Sequence, residues 1–522
     1  MNAGDWLAGR ARITPGKVAL VVTPDALAPD AGPEPEPLAG HGQPPARGGI
    51  DGARRYTYRD LDVRALRLAA VLRGMGVGKG DRVAVLAPNG VVHVDTMFAC
   101  AKLGAVFVPL NVRLALGELR ETLLDAAPAV LLYDQGLAGT AAALKESVPS
   151  LQYLLDTGRG YVEAIGAVPD TGGVAVDVNL DDPWMLLYTG GTTGKSKGAI
   201  ITHRQVLFNA INTQVSWGLR PDDIAPIITP MFHTGGLNVF ATPLFHLGGT
   251  MVLTGPFRPA PFLDVIAREG LTVIFMVPSM FQSLAQDPGF SHADFSSVRF
   301  FISGGAPCPR PVIETYWAKG VMFKTGYGLT EVGPNCFAMP DELARQRPGY
   351  VGFPVVHSEM KLVDDDGNEI SGEGTGELCI RGPHVTAGYW HKPDATREVL
   401  VDGWFHTGDI ARRDADGCYA IVDRKKDMFI SGGENVYPLE IETVLYTHPA
   451  VAECAVVGVP DDRWGEVGKA VVVLRPGMAA TSEELITYLR ERLAHYKVPK
   501  YVEFRDELPR NAAGKVLKRS LR

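Results

Sequence analysis

The stretch Tyr188-Thr-Gly-Gly-Thr-Thr-Gly-Lys-Ser-Lys-Gly198 directly follows an apolar run, Trp184-Met-Leu-Leu, which predicts a buried strand. Positions 189–198 hold four glycines, three threonines, two lysines and one serine. Glycine lets backbone N–H groups approach a ligand closely, and successive N–H groups in a turn form a concavity that suits anions. Lysine and hydroxyl donors add to such a concavity, so we expect this loop to bind phosphate.

Two motif templates fit the loop in part. The Walker A pattern needs Gly-x-x-x-x-Gly-Lys-Ser/Thr; the loop matches its end at Gly194, but the first required glycine falls on Thr189. The Gly-x-Ser-x-Gly pattern of hydrolases is met around Ser196, and it would place that serine on a strained strand-to-helix turn. Lysines on both sides of the serine suit a phosphate better than an acyl group. A serine hydrolase is therefore the less favoured alternative.

Length and composition indicate a globular protein of several domains. The chain has 522 residues, 46% hydrophobic and 21% charged, with a formal net charge of −8, and this acidic balance argues against nucleic acid as a partner. No apolar run approaches the roughly 18 residues of a membrane helix, and the N-terminus lacks the pattern of a secretory signal. The six cysteines are scattered, without a Cys-x-x-Cys pair, as is typical of buried thiols in the cytosol. We therefore expect a cytoplasmic protein.

The order of the predicted elements indicates an α/β fold. Strands alternating with helices from residue 56 onward predict parallel sheets with crossover helices. Residues 24–55 are rich in proline, glycine and alanine and predict a flexible insertion. From about residue 350, short β-type runs separated by turns predict a β-rich subdomain.

A charged run, Asp423-Arg-Lys-Lys-Asp427, predicts a linker near the end of the chain. It divides a large domain, residues 1–424, from a small α/β domain, residues 425–522. Within the large domain, Thr202-His-Arg-Gln205 has the spacing of a capping box and predicts the start of a helix. Several predicted strands end in small or polar residues, and ligands bind beyond the carboxyl ends of strands in open α/β sheets. We expect these ends to converge on one site.

Taken together, these features resemble the adenylate-forming enzyme superfamily, which includes acyl-CoA synthetases. The resemblance spans nearly the whole chain. It rests on six ordered blocks: Tyr188–Gly198, Met231-Phe-His-Thr-Gly-Gly236, Tyr327-Gly-Leu-Thr-Glu331, Thr407-Gly-Asp409, Asp423–Glu442 and Leu508–Arg519. It implies an ATP-dependent acid–CoA ligase: a carboxylate attacks the α-phosphate of ATP to give an acyl-adenylate and pyrophosphate, and the thiol of CoA then displaces AMP.

The resemblance also assigns the residues that bind ATP. The loop would hold the β- and γ-phosphates, Glu331 would be the Mg²⁺ ligand, and Thr330 would contact the α-phosphate. Asp409 would accept hydrogen bonds from the ribose hydroxyls, with Arg424 reaching the same ribose. The remaining nucleotide contacts would come from the loop residues Thr189, Thr192, Thr193, Gly194 and Lys197 and from the adenine-pocket residues Gly304, Gly305, Ala306, Tyr327 and Gly328.

The C-terminal blocks would serve both half-reactions. Lys515 matches the lysine that bridges the carboxylate and the α-phosphate during adenylation. Lys426 falls at the hinge about which the small domain swings between the two steps. In the second step CoA would contact Ser431, Gly432, Gly433 and Trp464.

The acyl pocket is the least determined part of the sequence. His233, Phe232 and the predicted helix Leu237–Leu247 would line it, and glycines including Gly326 leave room for a bulky acyl group. We expect a medium- or long-chain fatty acid, with an aromatic acid of the benzoate or cinnamate type as the alternative. A non-catalytic nucleotide-binding module is a third hypothesis, and a homodimer is possible.

Overall fold

The computed structural model describes residues 5–27, 49–169, 176–190, 196–510 and 516–522. The strands of its first part are β1 Val18–Val22, β2 Arg54–Thr57, β3 Arg82–Leu86, β4 Val106–Pro109, β5 Val130–Tyr133, β6 Tyr153–Asp156, β7 Pro183–Thr189, β8 Lys197–Thr202, β9 Ile224–Ile227, β10 Thr250–Leu253, β11 Val273–Met276, β12 Phe300–Ser303 and β13 Met322–Thr325. The next strands are β14 Phe337–Ala338, β15 Tyr350–Pro354, β16 Glu359–Val363, β17 Gly374–Arg381, β18 Leu400–Val401, β19 Trp404–Arg413 and β20 Tyr419–Arg424. The last are β21 Phe429–Ser431, β22 Glu434–Val436, β23 Val451–Asp461, β24 Gly465–Leu474 and β25 Tyr501–Phe504.

Most helices lie between strands in the first three hundred residues. They are α1 Trp6–Ile13, α2 Tyr58–Gly74, α3 Val91–Leu103, α4 Leu116–Ala126, α5 Ala138–Ser147, α6 Arg159–Gly166, α7 His203–Ser216, α8 Thr234–Asn238, α9 Ala241–Leu247, α10 Pro259–Glu269, α11 Pro278–Gln286, α12 Arg310–Ala318, α13 Asp341–Ala344, α14 Pro393–Val399, α15 Pro438–Leu445 and α16 Ser482–Arg490. This alternation confirms the predicted α/β fold class.

A six-stranded sheet forms one layer of the large N-terminal part. Its strand order is β6-β5-β3-β4-β7-β8, and every neighbouring pair is parallel except the last, β7 with β8. Its strands are almost wholly apolar because α3 covers one face of the sheet and α4 and α5 cover the other. The largest buried side chain there is that of Trp184.

Two shorter sheets continue the large part. One has the order β2-β1-β10-β9 and the other β11-β12-β13. They adjoin where the backbone N–H of Thr272 donates to the carbonyl of Ile224 over 2.8 Å. A cluster of aromatic rings around Phe281, Phe301 and Tyr316 packs behind the three-stranded sheet. The carboxyl ends of β12 and β13 therefore come side by side, with Ser303 paired to Thr325.

The rest of the described chain forms two sheets with mainly antiparallel pairing. Strands β14 to β20 make a seven-stranded sheet, which confirms the predicted β-rich subdomain. Strands β21 to β25 form the C-terminal sheet, whose core includes Val456, Ala470 and Leu485. The boundary at residues 424 and 425 and the hinge at Lys426 stay predictions.

The glycine-rich loop joins two antiparallel strands. Thr189 at the end of β7 pairs with Lys197 at the start of β8, and the Ser196 hydroxyl donates to the Thr189 carbonyl over 2.9 Å. A helix does not follow the loop until His203. Because both the Walker A loop and the hydrolase elbow lead from a strand into a helix, this hairpin fits neither template.

Two helix predictions were wrong in detail. The predicted helix Leu237–Leu247 is divided into α8 and α9, since Pro243 has no N–H to donate to the carbonyl of Val239. That carbonyl instead accepts from the Asn335 side chain over 3.0 Å. The predicted capping box at Thr202 is half formed, because its hydroxyl accepts from the Gln205 N–H while the Gln205 side chain turns elsewhere.

The predicted insertion 24–55 is described only at its ends. Residues 28–48 lie outside the described residues. Strand β2 begins at Arg54, two residues earlier than expected, and the Arg55 guanidinium lies 2.8 Å from the buried carboxylate of Glu269. The final residues of the predicted insertion are thus part of a sheet.

Candidate active site

Glu331 lies where three separate segments meet. Its Oε1 atom accepts a hydrogen bond from the Tyr389 hydroxyl over 2.9 Å and lies 3.5 Å from the Thr189 hydroxyl. Burial raises the pKa of Glu331 above its ordinary value, and the hydrogen bond from Tyr389 acts against that rise. The carboxylate thus lies at the base of the glycine-rich hairpin, as its predicted role requires.

Helix α7 fixes the backbone on which Glu331 is carried. Gln205 is buried, and its side-chain amide donates to the carbonyl of Thr330 over 3.0 Å and to that of Glu331 over 3.4 Å. These bonds explain why the glutamine does not complete the capping box at Thr202. Thr330, which precedes Glu331 in the chain, is also buried.

A second cluster joins Tyr327, Asp409 and Arg424. The Tyr327 hydroxyl donates to Oδ2 of Asp409 over 2.6 Å, and Nε of Arg424 lies 3.3 Å from Oδ1. The strands that carry Asp409 and Arg424 are neighbours, and these two residues are paired in register. Burial raises the pKa of Tyr327 well above its ordinary value, and the Asp409 carboxylate adds to this effect. The phenol is therefore a hydrogen-bond donor at neutral pH.

Glycines follow the carboxyl ends of strands β12 and β13. A Cβ built on Gly328 would lie 2.3 Å from the backbone carbon of Pro334, so no larger residue fits without moving the chain. A Cβ on Gly304 would lie 3.5 Å from the carbonyl oxygen of Gly326. Gly305 and Ala306 are exposed at the end of β12, and Gly305 has a φ of +80°. The ends of β12 and β13 thus present bare backbone, as an adenine pocket would.

The predicted acyl-pocket residues occupy the start of α8. His233 is exposed and caps that helix, because its Nδ1 accepts from the Gly235 N–H over 3.0 Å. Phe232 beside it is half-buried. A Cβ on Gly235 would lie 3.2 Å from Cε1 of Phe275, and one on Gly304 would lie 3.2 Å from Cε2 of the same ring. Phe275 thus spans the distance between the acyl-pocket glycine and the nucleotide-pocket glycine.

Trp464 and the glycines after Ser431 form a separate group on the C-terminal sheet. The Trp464 ring is 46% exposed, and a Cβ on Gly432 would lie 2.8 Å from it. The Gly432 N–H donates to the Trp464 carbonyl over 2.9 Å, and Ser431 pairs with Gly465. Both Gly432 and Gly433 have positive φ angles.

Some predicted residues cannot be placed. Thr192, Thr193 and Gly194 of the loop and Lys515 near the C-terminus lie outside the described residues. Lys426 is exposed just beyond β20. The roles predicted for all of these residues stay predictions.

Comparison with known proteins places the chain in a family. The profile of the AMP-binding enzyme family matches residues 37–390, and that of the AMP-binding enzyme C-terminal domain matches residues 440–515. The chain belongs to the AMP-binding enzyme family.

Relatives of this AMP-binding enzyme act on different acids. It is 43% identical over 471 residues to the feruloyl-CoA synthase of Amycolatopsis sp, covering 90% of this chain and 94% of that protein. It is 37% identical over 505 residues to the long-chain-fatty-acid–CoA ligase of Salmonella typhimurium, covering 89% of each. The crystal structure of ATP-bound MatB from Rhodopseudomonas palustris is similar with a TM-score of 0.87 and 32% identity, covering 100% of this chain and 98% of that one.

These matches confirm the predicted enzyme class, an AMP-forming acid–CoA ligase that uses ATP and CoA. They do not decide between an aromatic and a fatty acid. Among the described helices, none is both long and apolar enough to cross a membrane.

The surroundings of Glu331 fit the Mg²⁺ ion that is typical of the family. Magnesium is usually held by one or two carboxylates together with substrate phosphates and water. Glu331 offers one buried carboxylate at the base of the predicted phosphate loop. Within the described ranges, no group of three or more His, Cys, Asp or Glu side chains could hold a metal ion. A cation at Glu331 would therefore take its other ligands from ATP and water.

Sequence reasoning missed Tyr389, Gln205 and Phe275. Gly388-Tyr389-Trp390 carries a weak signal, since two aromatic residues follow a glycine outside any helical or strand periodicity. Gln205 has the spacing of a capping residue, and Phe275 lies in an apolar run that is typical of a buried strand. Their roles depend on contacts with segments far away in the chain, which no local pattern shows.

Proposed function

We propose that this AMP-binding enzyme activates an aromatic carboxylic acid of the feruloyl type with ATP and transfers the acyl group to CoA. The observation that carries the aromatic preference is the position of Phe275 between Gly235 and Gly304. The Phe275 ring is half-buried and packs closely against two residues that have no side chains. An aromatic acyl group beside this ring could make the offset-stacked or edge-to-face contacts that aromatic pairs favour. The feruloyl-CoA synthase relative supports the same choice.

The first half-reaction brings two anions together, so the site must stabilise negative charge as it develops. Asp409 would accept from the ribose hydroxyls, held in place by the Tyr327 phenol and Arg424. Lys197 and the backbone of the hairpin loop would bind the phosphates that leave as pyrophosphate. Glu331 would hold Mg²⁺, which neutralises phosphate charge when bound. The acid's carboxylate oxygen attacks the α-phosphorus, the bond to the bridging oxygen breaks, and acyl-adenylate and pyrophosphate form.

In the second half-reaction the CoA thiol loses its proton, attacks the acyl carbon and releases AMP. We assign the pantetheine arm to the surface formed by Ser431, Gly432 and Gly433, with Trp464 beside it. The positive φ angles of both glycines favour residues without a Cβ there, and the absence of side chains leaves room for a narrow arm.

Acid-dependent exchange of pyrophosphate into ATP tests the proposal. We expect exchange with ferulate, cinnamate and benzoate, and a kcat/KM for the best aromatic acid at least about ten times that for any straight-chain acid from C6 to C16. Thioester formation is then measured with the same acids and CoA. Absence of exchange with every acid would refute adenylation. Exchange with fatty acids alone would refute the aromatic preference only.

Phe275 offers a direct control for this preference. Phe275→Leu keeps an apolar side chain but removes the ring, so we expect kcat/KM for aromatic acids to fall several-fold while that for hexanoate changes little. An equal loss for both classes would mean that Phe275 is only part of the core.

A medium- or long-chain fatty acid is the second candidate, favoured by the Salmonella relative. The same panel distinguishes it. The cytoplasmic location, a homodimer and the roles of the residues outside the described ranges stay predictions. A nucleotide-binding module without catalysis would bind ATP but exchange no pyrophosphate with any acid.

A further inference from the structure

Tyr389 contacts two residues of the proposed phosphate site at once. Its hydroxyl donates to Oε1 of Glu331 over 2.9 Å, and the ammonium nitrogen of Lys197 lies 5.2 Å from the centre of its ring. A cation at this distance from an aromatic face is attracted by the ring's quadrupole. One side chain therefore contacts both the proposed Mg²⁺ ligand and a lysine of the glycine-rich loop.

The backbone around Tyr389 holds the same two partners. Tyr389 forms an isolated β-bridge with Ala199, and the Trp390 N–H donates to the Gly198 carbonyl over 2.8 Å. The Thr386 N–H donates to the carbonyl of Glu331 over 2.6 Å. The segment 386–390 thus lies along β8 on one side and along the chain at Glu331 on the other. Backbone hydrogen bonds alone therefore fix the position of this segment.

We propose that Tyr389 is a positioning residue for adenylation, orienting the Glu331 carboxylate through its hydroxyl and the Lys197 ammonium through its ring. The inference rests on the proposed function, because it concerns how the same site binds the phosphates and their cation.

The two contacts do different things. The hydroxyl restricts the rotamer of Glu331, so that its carboxylate is already oriented when a cation arrives. The ring restricts Lys197, a flexible side chain that would lose rotamer entropy if it were ordered only on binding. Removing the hydroxyl should therefore weaken the binding of the cation. Removing the ring should weaken the binding of ATP whether or not a cation is present.

Calorimetric titration with ATP separates these effects, since binding is measured without turnover. Each variant is titrated in MgCl₂ and in EDTA, and the ratio of the two affinities reports the gain from Mg²⁺. We expect Tyr389→Phe to lower this gain about five- to tenfold and to leave the affinity in EDTA unchanged. We expect Tyr389→Leu to lower the affinity in EDTA as well, about threefold or more.

Lys197→Met tests the ring contact from the other side. If the ring acts through Lys197, the loss of affinity in EDTA caused by Tyr389→Leu should largely disappear in the Lys197→Met background. Additive losses would overturn that half of the proposal. If Tyr389→Leu folds poorly, Tyr389→Trp gives a separate test, because it keeps a ring but lacks the phenol hydroxyl. It should retain the affinity in EDTA and lose part of the gain from Mg²⁺, and a loss of affinity in EDTA would overturn the ring contact.

A matched control is Tyr161→Phe. Tyr161 also donates its hydroxyl to a buried carboxylate, that of Asp95, but in the N-terminal core. This variant should keep the wild-type gain from Mg²⁺ even if its melting temperature falls. An unchanged gain in Tyr389→Phe would overturn the proposal, whereas a wild-type protein that exchanges no pyrophosphate with any acid would overturn the proposed function instead.

Discussion

Gly432 and Gly433 have similar backbones but different surroundings. Their φ angles are +62° and +90°, both in the region that disfavours a Cβ. A Cβ on Gly432 would lie 2.8 Å from the Trp464 ring, whereas one on Gly433 would meet no atom within 4 Å. The pair therefore separates backbone strain from displacement of the tryptophan.

Gly432→Ala should slow thioester formation more than adenylation, because the added methyl group pushes aside the ring that we assign to CoA. We expect a fall of about tenfold or more in the second half-reaction, measured with preformed acyl-adenylate and CoA, and little change in pyrophosphate exchange. Gly433→Ala carries the strain alone, about 1 kcal/mol, and should lower both rates by less. Equal effects of the two variants would contradict the assignment of Trp464 to the CoA site.

At the scale of elements, the residues that flank the segment 511–515, namely 509–510 and 516–517, are held together. We call these flanking residues the stem. Arg510 and Val516 form a β-bridge, and the Leu517 N–H donates to the Pro509 carbonyl over 2.8 Å. Beyond the stem, the Lys518 ammonium lies 2.7 Å from the carboxylate of Glu442 on α15. Glu442 is buried. The residues between these anchors include the lysine predicted to act in adenylation.

Lys518→Met should lower adenylation more than thioester formation. It removes the ion-pair partner of the buried Glu442 carboxylate, which among the described residues keeps only its hydrogen bond from the Val456 N–H. Such a loss typically costs 3–5 kcal/mol, and it frees one side of the stem. Lys518→Arg should restore most of the activity because it keeps the charge. Lys497→Met is the matched control, since Lys497 pairs at 2.8 Å with Glu440 on the same helix but away from this stem. If Lys497→Met slows adenylation as much, the stem has no special role.

Local patterns predicted the alternation of strands and helices, and most predicted strands are present within one or two residues. They could not predict which strands become neighbours. β1 pairs with β10, for example, although about 230 residues separate them, and that choice depends on packing throughout the core. The carbonyl of Val239, which loses its helical partner because of Pro243, is satisfied by Asn335, 96 residues further along the chain.

The candidate site was predictable to the extent that it consists of motifs. Glu331, Tyr327, Asp409 and Arg424 could be predicted because each lies in a recognisable block, and the structure brings the last three into contact. Their roles stay predictions. Tyr389 was not found, because its importance comes from two contacts across the fold rather than from its own neighbours in the chain.

At the scale of the whole molecule, buried titratable groups determine the response to acid. Burial lowers the pKa of each of three histidines, His93, His203 and His246, from 6.5 to about 4. Each therefore stabilises the fold fully above its unfolded pKa, and that contribution is lost as the pH falls from 6.5 through 4. Asp423 acts in the opposite direction, because burial raises its pKa to about 6.

The three histidines outweigh Asp423 and Glu331, the two carboxyl groups whose pKa burial raises, so the melting temperature should fall steadily between pH 6.5 and pH 4. Each histidine contributes on the order of 3 kcal/mol over that range. His203→Phe should make the fall shallower, because the ring stacks on Trp184 at 4.8 Å and neither of its nitrogens has a hydrogen-bonding partner in the described parts of the chain. Scanning calorimetry at pH 7, 6, 5 and 4 measures this. An unchanged slope in His203→Phe would contradict the prediction.

The β7–β8 hairpin also has a consequence for exchanging sequences between relatives. Thr189 and Lys197 face each other across an antiparallel pair, which holds their Cβ atoms about 5 Å apart. Whatever sequence connects them starts and finishes at the same two points, and no helix must shift to accommodate it. Loops of different length could thus be transplanted between these two anchors, so that the phosphate binding we propose for the loop is changed independently of the acid that the enzyme accepts.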